Sequence, residues 1–270
     1  MRFAVAVSWL VLLANCAPVR VAPPPPATRV KEDVKPALRI EAPAEAARLT
    51  RVEVSGVTIE GVAFDSRSHR LVVADQKQGP GSSHADAAAA GGSLGGYAAV
   101  NAGFFTPEGE PLGLVVAAEK PAGAWNTASS LGSGVWHEDS SGQSFISRRE
   151  SLGRAGSIAM RELLQAGPML VENSHAVSGL DPVKSSVRTF ILWDGDSRWW
   201  IGRASACTLA DLSKAIIAAK PAGWPVKHAL NLDGGRSSDL WVSEKIPGGP
   251  VVRRAPWNRP VRNFLVLVSR

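Results

Sequence analysis

The stretch that decides the fold lies near the C-terminal end and reads His228-Ala229-Leu230-Asn231-Leu232-Asp233-Gly234-Gly235-Arg236-Ser237-Ser238-Asp239-Leu240-Trp241-Val242. Apolar residues alternate with polar ones on both sides of a glycine pair, which predicts a strand, a tight turn and a second strand. Successive side chains of a strand point to opposite faces, so Asn231 and Asp233 are expected to share one face and Leu230 and Leu232 the other. Two polar groups aimed at one surface indicate a functional site.

The turn itself suits the approach of an anion or of a sugar oxygen. Gly234 and Gly235 can adopt positive φ and leave backbone N–H groups uncovered. The alternative interpretation is an ordinary hairpin closed by an Asp-Gly turn. The local sequence leaves both interpretations open.

Strand patterns recur through the rest of the chain, whereas helix patterns are few. Strands are predicted at 52–54, 57–64, 70–74, 97–101, 112–117, 145–146, 169–171, 186–193, 198–203 and 262–268, the first three as a meander. A short helix is predicted at 85–90, a helical turn at 160–164, an irregular region at 123–142, and a helix from the Thr208 capping box to about Lys220. This mixture predicts a single α+β domain with a mixed, largely antiparallel sheet core and a few flanking helices.

The N-terminus carries an export signal, predicted at residues 1–15. Arg2 precedes an apolar run that is too short to span a bilayer. The run ends in Leu13-Ala14-Asn15-Cys16, which resembles a bacterial lipobox, although Asn15 departs from the small residue usual before the cysteine. Lipidation of Cys16 is therefore expected, and cleavage nearby by an ordinary signal peptidase is the alternative.

Prolines and interspersed charges follow Cys16, so residues 16–47 are predicted to be a lipidated, Pro-rich tether and residues 48–270 the folded domain. This arrangement predicts an exported lipoprotein of the bacterial periplasm and cell envelope, held by its N-terminal lipid to a membrane, the outer membrane being one candidate. A cysteine that carries lipid forms no disulfide, so Cys207 is expected to be a small buried residue.

Composition and net charge limit the classes of molecule that the protein is expected to bind. At 270 residues and 45% hydrophobic residues, the chain can bury a sizeable core, which excludes a disordered protein. The net charge of +6 is spread along the chain. An exported protein rarely meets nucleic acid, so anionic glycans and the membrane surface are the expected partners. Neither a cofactor nor a metal site is predicted, because Asp194 and Asp196 lack the remaining ligands of a calcium loop.

Five blocks of sequence, taken together and in order, resemble the phosphodiester glycosidase family. They are Asn101-Ala102-Gly103-Phe104-Phe105, Gln165-Ala166-Gly167-Pro168-Met169-Leu170-Val171, Arg188-Thr189, Thr208-Leu209-Ala210-Asp211-Leu212 and Asn231-Leu232-Asp233-Gly234-Gly235-Arg236-Ser237-Ser238. The family includes the enzyme that uncovers mannose 6-phosphate by removing N-acetylglucosamine from a phosphodiester. The resemblance covers roughly residues 52–268. It implies an envelope hydrolase that cleaves the glycosidic bond between a sugar, N-acetylglucosamine among the candidates, and a phosphodiester.

The chemistry of that bond suggests catalytic roles. A sugar departs from phosphate through an oxocarbenium-like transition state, which a carboxylate stabilises or captures, and Asp233 is the candidate. Phosphate is already a good leaving group, so a cation that neutralises it can matter more than a strong general acid. Arg188 is the predicted cation, although a structural pair between Arg188 and Asp233 is the alternative. Asn101 completes the catalytic set, and Glu110 is the candidate second carboxyl unless it is an exposed turn residue.

The predicted substrate-binding residues surround these groups in the same blocks. They are Gly103, Phe104, Thr189, Asn231, Gly234, Gly235, Arg236, Ser237 and Ser238, with the two serines able instead to satisfy backbone groups. Ala102 and Arg236 each replace a glycine of the family pattern. Arg236 either grips the phosphate or blocks the pocket. The second outcome would make the protein a non-catalytic glycan- or sugar-phosphate-binding lipoprotein.

Overall fold

A computed structural model describes residues 43–76 and 83–270. The structure does not describe residues 1–42, which include the predicted signal peptide, Cys16 and most of the predicted tether. It also does not describe residues 77–82, which belong to a glycine-rich loop predicted at 76–83. In the part that the structure describes, no helix has the length and apolar character needed to cross a membrane.

The described residues form seventeen strands and three α-helices, numbered here in chain order. The strands are β1 (Arg48–Val54), β2 (Val57–Asp65), β3 (His69–Asp75), β4 (Ala98–Asn101), β5 (Val115–Ala117), β6 (Lys120–Ala122), β7 (Gly134–Glu138), β8 (Ser144–Arg148), β9 (Glu162–Ala166), β10 (Met169–Glu172), β11 (His175–Ala176), β12 (Ser186–Trp193), β13 (Arg198–Cys207), β14 (His228–Asn231), β15 (Asp239–Val242), β16 (Val251–Arg254) and β17 (Asn263–Ser269). The helices are α1 (Ala87–Ser93), α2 (Arg149–Gly156) and α3 (Leu209–Ala219).

The strands form three sheets, and neighbouring strands in them run antiparallel. The first sheet has seven strands in the order β1-β2-β13-β12-β14-β10-β11. The second has five strands in the order β16-β15-β4-β17-β3, and the third has five in the order β6-β5-β9-β7-β8. Short helices accompany these sheets, so the predicted α+β class with a largely antiparallel core is confirmed.

One large cluster of buried apolar side chains is shared by all three sheets. Val62 of β2, Val100 of β4 and Trp136 of β7 all belong to it, and each is completely buried. Removing a side chain of this kind from water contributes about 2 kcal/mol to folding. The shared core therefore fixes the sheets against one another and holds the ends of their strands at constant positions.

Helix α3 covers the opposite face of the first sheet, where Leu212 and Ile216 join a second cluster of buried side chains. Thr208 caps the helix by accepting a hydrogen bond from the Asp211 backbone N–H at 3.1 Å. Lys220 ends it with φ of 45°, in the left-handed region. The helix predicted from the Thr208 capping box is confirmed.

The alternative interpretation of Gly234 and Gly235, an ordinary hairpin, is wrong. Strand β14 pairs with β10 and β12 in the first sheet, whereas β15 pairs with β4 and β16 in the second. Leu230 and Leu240, one from each strand, are both fully buried in the shared core. The two strands pair with different neighbours, so the glycine turn crosses between two sheets.

Three further predictions of local structure are wrong. The meander is interrupted, because β1 and β2 pair with each other but β3 pairs with β17 in the second sheet. The predicted helical turn at 160–164 overlaps strand β9, and the region predicted to be irregular at 123–142 contains β7. Strand β9 lies between β5 and β7, so neighbouring strands cover both its edges. A short buried run of apolar residues does not by itself distinguish a strand from a helix.

Candidate active site

The site is built where β14 ends, next to the end of β4. The Asp233 backbone N–H donates to the Ala102 carbonyl at 2.9 Å. The Asn101 side-chain Nδ2 donates to the Asp233 carbonyl at 2.7 Å. These two bonds hold both backbone polar groups of Asp233, so its side chain projects from a fixed position.

Asn101 is the centre of a buried hydrogen-bond network. Its Oδ1 accepts from Thr189 Oγ1 at 2.7 Å and from the Asp239 backbone N–H at 2.9 Å. Both Asn101 and Thr189 are completely buried. These contacts join β4, β12 and β15 to the glycine turn. Asn101 and Thr189 therefore position Asp233 from within the protein.

The two glycines of the turn are required by the geometry. A Cβ atom on Gly234 would lie 2.8 Å from the Val187 carbonyl oxygen, which is closer than real side chains approach. Gly235 has φ of 61°, a conformation that residues with a side chain rarely adopt. The turn consequently passes close against β12 and then enters a short 3₁₀ helix, Gly235–Ser237.

The carboxylate of Asp233 is held through one of its oxygens. Oδ1 accepts from the Gly234 backbone N–H at 2.8 Å. Oδ2 is buried and has no hydrogen-bond partner among the described residues. Burial raises the pKa of Asp233, while the bonds from Ser237 and Gly234 and the charge of Arg259 oppose that increase. One oxygen is thus fixed and the other is available for a ligand.

Arg259 provides the positive charge beside this carboxylate. Its Nη2 lies 3.9 Å from Asp233 Oδ2, and its guanidinium lies over the Phe105 ring, 4.8 Å from the ring centroid. Its Nε lies 3.4 Å from Ser237 Oγ. About half of the Arg259 side chain is exposed, so it also faces solvent. Sequence analysis missed Arg259, because it lies in an irregular loop that carries no recognisable motif.

Asn231 lies two residues before Asp233, and only the nitrogen of its side-chain amide has a hydrogen-bond partner among the described residues. Its Nδ2 donates to the Gly167 carbonyl at 2.9 Å, whereas its buried Oδ1 has no partner within residues 43–76 and 83–270. Leu230 and Leu232 point into the shared core, as the alternation predicts. Asn231 and Asp233 each offer a buried acceptor oxygen to a ligand that brings hydrogen-bond donors.

Arg188 is not brought to the Asp233 carboxylate. Its Nε donates to the Cys207 carbonyl at 3.1 Å and its Nη2 to the Lys184 carbonyl. Within the described residues it forms no ion pair with Asp233, so the predicted structural pair between them is absent. Burial lowers the pKa of Arg188. The guanidinium instead ties β12 to the end of β13.

Glu110 also lies apart from the carboxylate. Its side chain is 71% exposed, and its nearest charge is Arg262, at 3.9 Å. Arg262 is itself engaged with Asp75, to which its Nε donates at 2.9 Å. The geometry is that of an exposed turn residue, which was the alternative interpretation of Glu110.

Arg236 points away from the carboxylate. It is exposed, and its Nε donates to the Trp257 carbonyl at 3.1 Å. The Trp257 side chain is 69% exposed. Arg236 therefore fastens the turn to the loop that carries Arg259, and the carboxylate stays uncovered by it.

The remaining predicted residues line or support the turn. The Gly103 backbone N–H donates to Asn263 Oδ1 at 2.7 Å, and Phe104 is half-buried against the shared core. Ser238 is buried, and its Oγ lies 3.1 Å from Thr189 Oγ1. These contacts make the surroundings of the turn rigid.

Cys207 lies outside this site, and its thiol is expected to be unreactive. It is buried, and burial raises the pKa of its thiol to about 11, as expected for a structural cysteine. In the parts of the chain that the structure describes, no three histidine, cysteine or acidic side chains are grouped so as to hold a metal ion.

Comparison with known proteins identifies the family. Residues 95–268 match the model of a family described as phosphodiester glycosidase. No curated protein matches the chain.

Solved structures share the fold at low sequence identity. The catalytic domain of zebrafish N-acetylglucosamine-1-phosphodiester alpha-N-acetylglucosaminidase aligns with a TM-score of 0.57 and 16% identity over 86% of this chain and 85% of that one. A hypothetical protein from Synechocystis aligns with a TM-score of 0.57 and 15% identity, over 86% of this chain and 64% of that one. A Burkholderia pseudomallei K96243 protein assigned as exported aligns with a TM-score of 0.54 and 14% identity, over 78% of this chain and 74% of that one.

The family match spans more than half of the chain and includes both the end of β4 and the glycine turn. The resemblance inferred from the five sequence blocks is therefore confirmed, and the chain belongs to the phosphodiester glycosidase family.

Proposed function

We propose that the protein hydrolyses the glycosidic bond between a sugar and a phosphodiester, with Asp233 acting on the anomeric carbon. The observation that carries this proposal is the buried Oδ2 of Asp233, which has no hydrogen-bond partner among the described residues and faces Arg259 across 3.9 Å. A carboxylate in this position can stabilise or capture an oxocarbenium-like sugar. The family match supports the same reaction.

In the proposed reaction, the bond between the anomeric carbon and the phosphate oxygen breaks, and its electron pair leaves with the phosphate. Water supplies the hydroxyl group on the anomeric carbon and a proton to the phosphomonoester. Arg259 is the cation placed to neutralise the departing phosphate, the role predicted for Arg188. A preorganised cation stabilises charge that develops in the transition state.

Two unpartnered acceptors support a sugar as the group that is cleaved off. Asn231 Oδ1 and Asp233 Oδ2 are both buried, and a buried acceptor without a donor costs about 1–3 kcal/mol. Sugar hydroxyl groups and an N-acetyl N–H are donors that can satisfy Asn231. We propose N-acetylglucosamine as the first sugar to test, since the zebrafish structure of this fold is named for that sugar.

The test is sugar release from a synthetic N-acetylglucosamine 1-phosphodiester by the purified chain, with mannose and glucose analogues beside it. We expect release by the wild type and about 10²-fold to 10⁴-fold less by Asp233→Asn. Asp196→Asn makes the same change at an exposed turn position and serves as the matched control. Release from none of the substrates, with binding retained, would favour a non-catalytic sugar-phosphate-binding protein.

We also propose that the enzyme works in the bacterial envelope, anchored by lipid on Cys16. The lipobox-like Leu13-Ala14-Asn15-Cys16 and the Pro-rich residues after it support this location. Expression in a bacterial host fed an alkyne-labelled fatty acid is expected to label the wild type and to leave Cys16→Ser unlabelled. An unlabelled wild type would indicate ordinary cleavage of a signal peptide.

A further inference from the structure

A cavity rich in arginine adjoins the glycine turn that follows Asp233. It has a volume of about 330 Å³, and Gly235 and Ser238 of the turn form part of its wall. Arg203 of β13 and Arg253 and Arg254 of β16 line it. The cavity is therefore continuous with the turn that carries Asp233, but its charged groups come from other strands.

Positive charge is in excess around this cavity. Arg253 makes two short bonds to Glu60, from Nε at 2.7 Å and from Nη2 at 2.9 Å. Arg254 Nη1 donates to Asp239 at 2.9 Å. Arg203 forms no ion pair of its own with the described residues, although the charges of Glu60 and Asp239 act on it, so three guanidinium groups share two carboxylates. An anion entering the cavity would meet a positive field that the protein does not fully neutralise.

Arg203 retains hydrogen-bonding capacity. Its Nη1 lies 3.3 Å from the Arg253 carbonyl oxygen, and in the part of the chain that the structure describes its Nε and Nη2 have no partner. Burial lowers the pKa of Arg203, whereas the charges of Glu60 and Asp239 oppose that decrease and the charge of Arg253 adds to it. Arg203 is half-buried, so these N–H groups are open to an anion that enters the cavity. A guanidinium can grip an oxyanion through two parallel hydrogen bonds.

The cavity extends beyond the turn in a direction that suits a chain-like ligand. A second depression of about 270 Å³ adjoins it, because Arg203 and Arg253 line both. At the rim nearest the turn, the exposed Trp257 offers an aromatic face on which a sugar ring can stack. The basic groove therefore runs from the catalytic turn past an aromatic residue to a pair of arginines.

We propose that this groove binds the alcohol side of the phosphodiester, and that this part of the natural substrate is a glycan carrying a further oxyanion. The inference rests on the proposed function, which places the cleaved bond at Asp233. It adds a substrate class: a polyanionic glycan whose second phosphate or carboxylate is held by Arg203. The phosphate at the cleaved bond remains beside Arg259, and the second anion lies in the groove.

The kinetic test uses three N-acetylglucosamine 1-phosphodiesters, whose alcohol portions are a neutral hexose, a hexose 6-phosphate and a hexuronate. For the wild type we expect a KM for the anionic compounds about 10-fold to 100-fold below that for the neutral one, with similar kcat. Arg203→Gln should abolish this preference by raising the KM of the anionic compounds to that of the neutral one. A larger preference for the phosphate than for the carboxylate would identify phosphate as the second anion, and the reverse would identify a uronate. Equal KM for all three compounds would overturn the inference while leaving the proposed hydrolysis intact.

Two controls separate the groove from a general effect of charge. Arg154→Gln removes the same charge from an exposed position on α2 and is expected to keep the preference. Val252→Glu places a negative charge on the cavity wall without removing a buried contact, because Val252 is 54% exposed. It should also abolish the preference, whereas Val183→Glu, at an 82% exposed position, should not. Loss of the preference in the Arg154→Gln or Val183→Glu protein would overturn the assignment to this groove.

A binding experiment works even if no substrate is hydrolysed. Inorganic pyrophosphate is titrated calorimetrically into the full Asp233→Asn chain at low and high salt. We expect binding that weakens with salt and that Arg203→Gln and Val252→Glu each reduce about 10-fold or more. Pyrophosphate binding by this variant, together with no sugar release from any phosphodiester by the wild type, would refute the proposed reaction and support the groove. Binding that both groove variants leave unchanged would overturn the inference.

Discussion

Arg259 Nη2 lies 3.9 Å from Asp233 Oδ2, too far for a direct hydrogen bond. The two residues are brought together by the pairing of β15 with β16, which returns the chain to the glycine turn. The turn is also fastened to this loop, since the Arg259 backbone N–H donates to the Arg236 carbonyl at 3.0 Å. A carboxylate and a cation held near each other without direct contact are suited to receive a sugar and its phosphate.

Replacement of Asp233 by asparagine is expected to separate activity from stability. Sugar release should fall by about 10²-fold to 10⁴-fold, the range for the loss of one positioned catalytic group. The folded state should become more stable at neutral pH, because burial raises the pKa of this carboxyl and its charged form is disfavoured. Turnover assays and urea denaturation measure the two effects. Parallel loss of activity and stability would argue for a purely structural Asp233.

The pH dependence of activity should report the ionisation of Asp233. The raised pKa places the acidic limb of kcat/KM above the ordinary range of an aspartate, with activity increasing as the carboxyl loses its proton. Arg259 lowers that pKa, so Arg259→Gln should move the limb to higher pH and also reduce kcat. Arg198→Gln, which removes an ion pair on a distant hairpin, is the control. An unshifted limb in Arg259→Gln would contradict the assigned role.

Asn101→Ala is expected to destabilise the fold by about 2–4 kcal/mol, because it removes three buried hydrogen bonds and strands their partners. Thr189→Val removes two of the bonds in this network and should cost less, about 1–2 kcal/mol. Urea denaturation at pH 7 gives both values. Unchanged stability with activity lost would instead place Asn101 in contact with the substrate.

Arg236→Ala is expected to change turnover by less than about 3-fold, the scale of one exposed hydrogen bond. The reason is that Arg236 bonds the Trp257 carbonyl and does not face Asp233. A large gain in activity would show that Arg236 blocks the pocket, as the glycine of the family pattern suggested. Steady-state assays of the single variant decide between these outcomes.

Protonation of His137 is expected to destabilise the fold in acid. This histidine is buried beside Phe145, and burial lowers its pKa from 6.5 to about 4. A histidine with a depressed pKa is neutral in the fold, so its contribution is present above pH 6.5 and is lost as the pH falls towards 4. The loss reaches about 3 kcal/mol. His137→Gln should reduce the difference in unfolding free energy between pH 7 and pH 4 by this amount.

The wild type and the variant must be compared with each other, because the neighbouring Glu138 changes stability with pH in the direction opposite to His137. Burial raises the pKa of Glu138, so its contribution is present at low pH and is lost as the pH rises through that pKa. Urea denaturation of both proteins at the two pH values isolates the histidine. Equal pH dependence in the two proteins would contradict the prediction.

The sequence by itself determined the class of fold, the capped helix α3 and the family. Each of these follows from a local pattern: the fold class from alternating apolar residues, the helix from the Thr208 cap, and the family from five ordered blocks of sequence. It also determined that Leu230 and Leu232 enter the shared core together, because alternate side chains of an extended segment point to the same side. The same stretch also predicted the tight turn at Gly234 and Gly235.

Only the tertiary structure decided which residues meet at the site. The glycine turn leaves one sheet and enters another, since its two flanking strands pair with different neighbours, and no local pattern encodes that choice. The pairing of β15 with β16 then brings Arg259 to Asp233, while the buried bonds of Arg188 to the Cys207 and Lys184 carbonyls hold that guanidinium elsewhere. Long-range strand pairing fixes which charges lie side by side, and the spacing of residues along the chain does not.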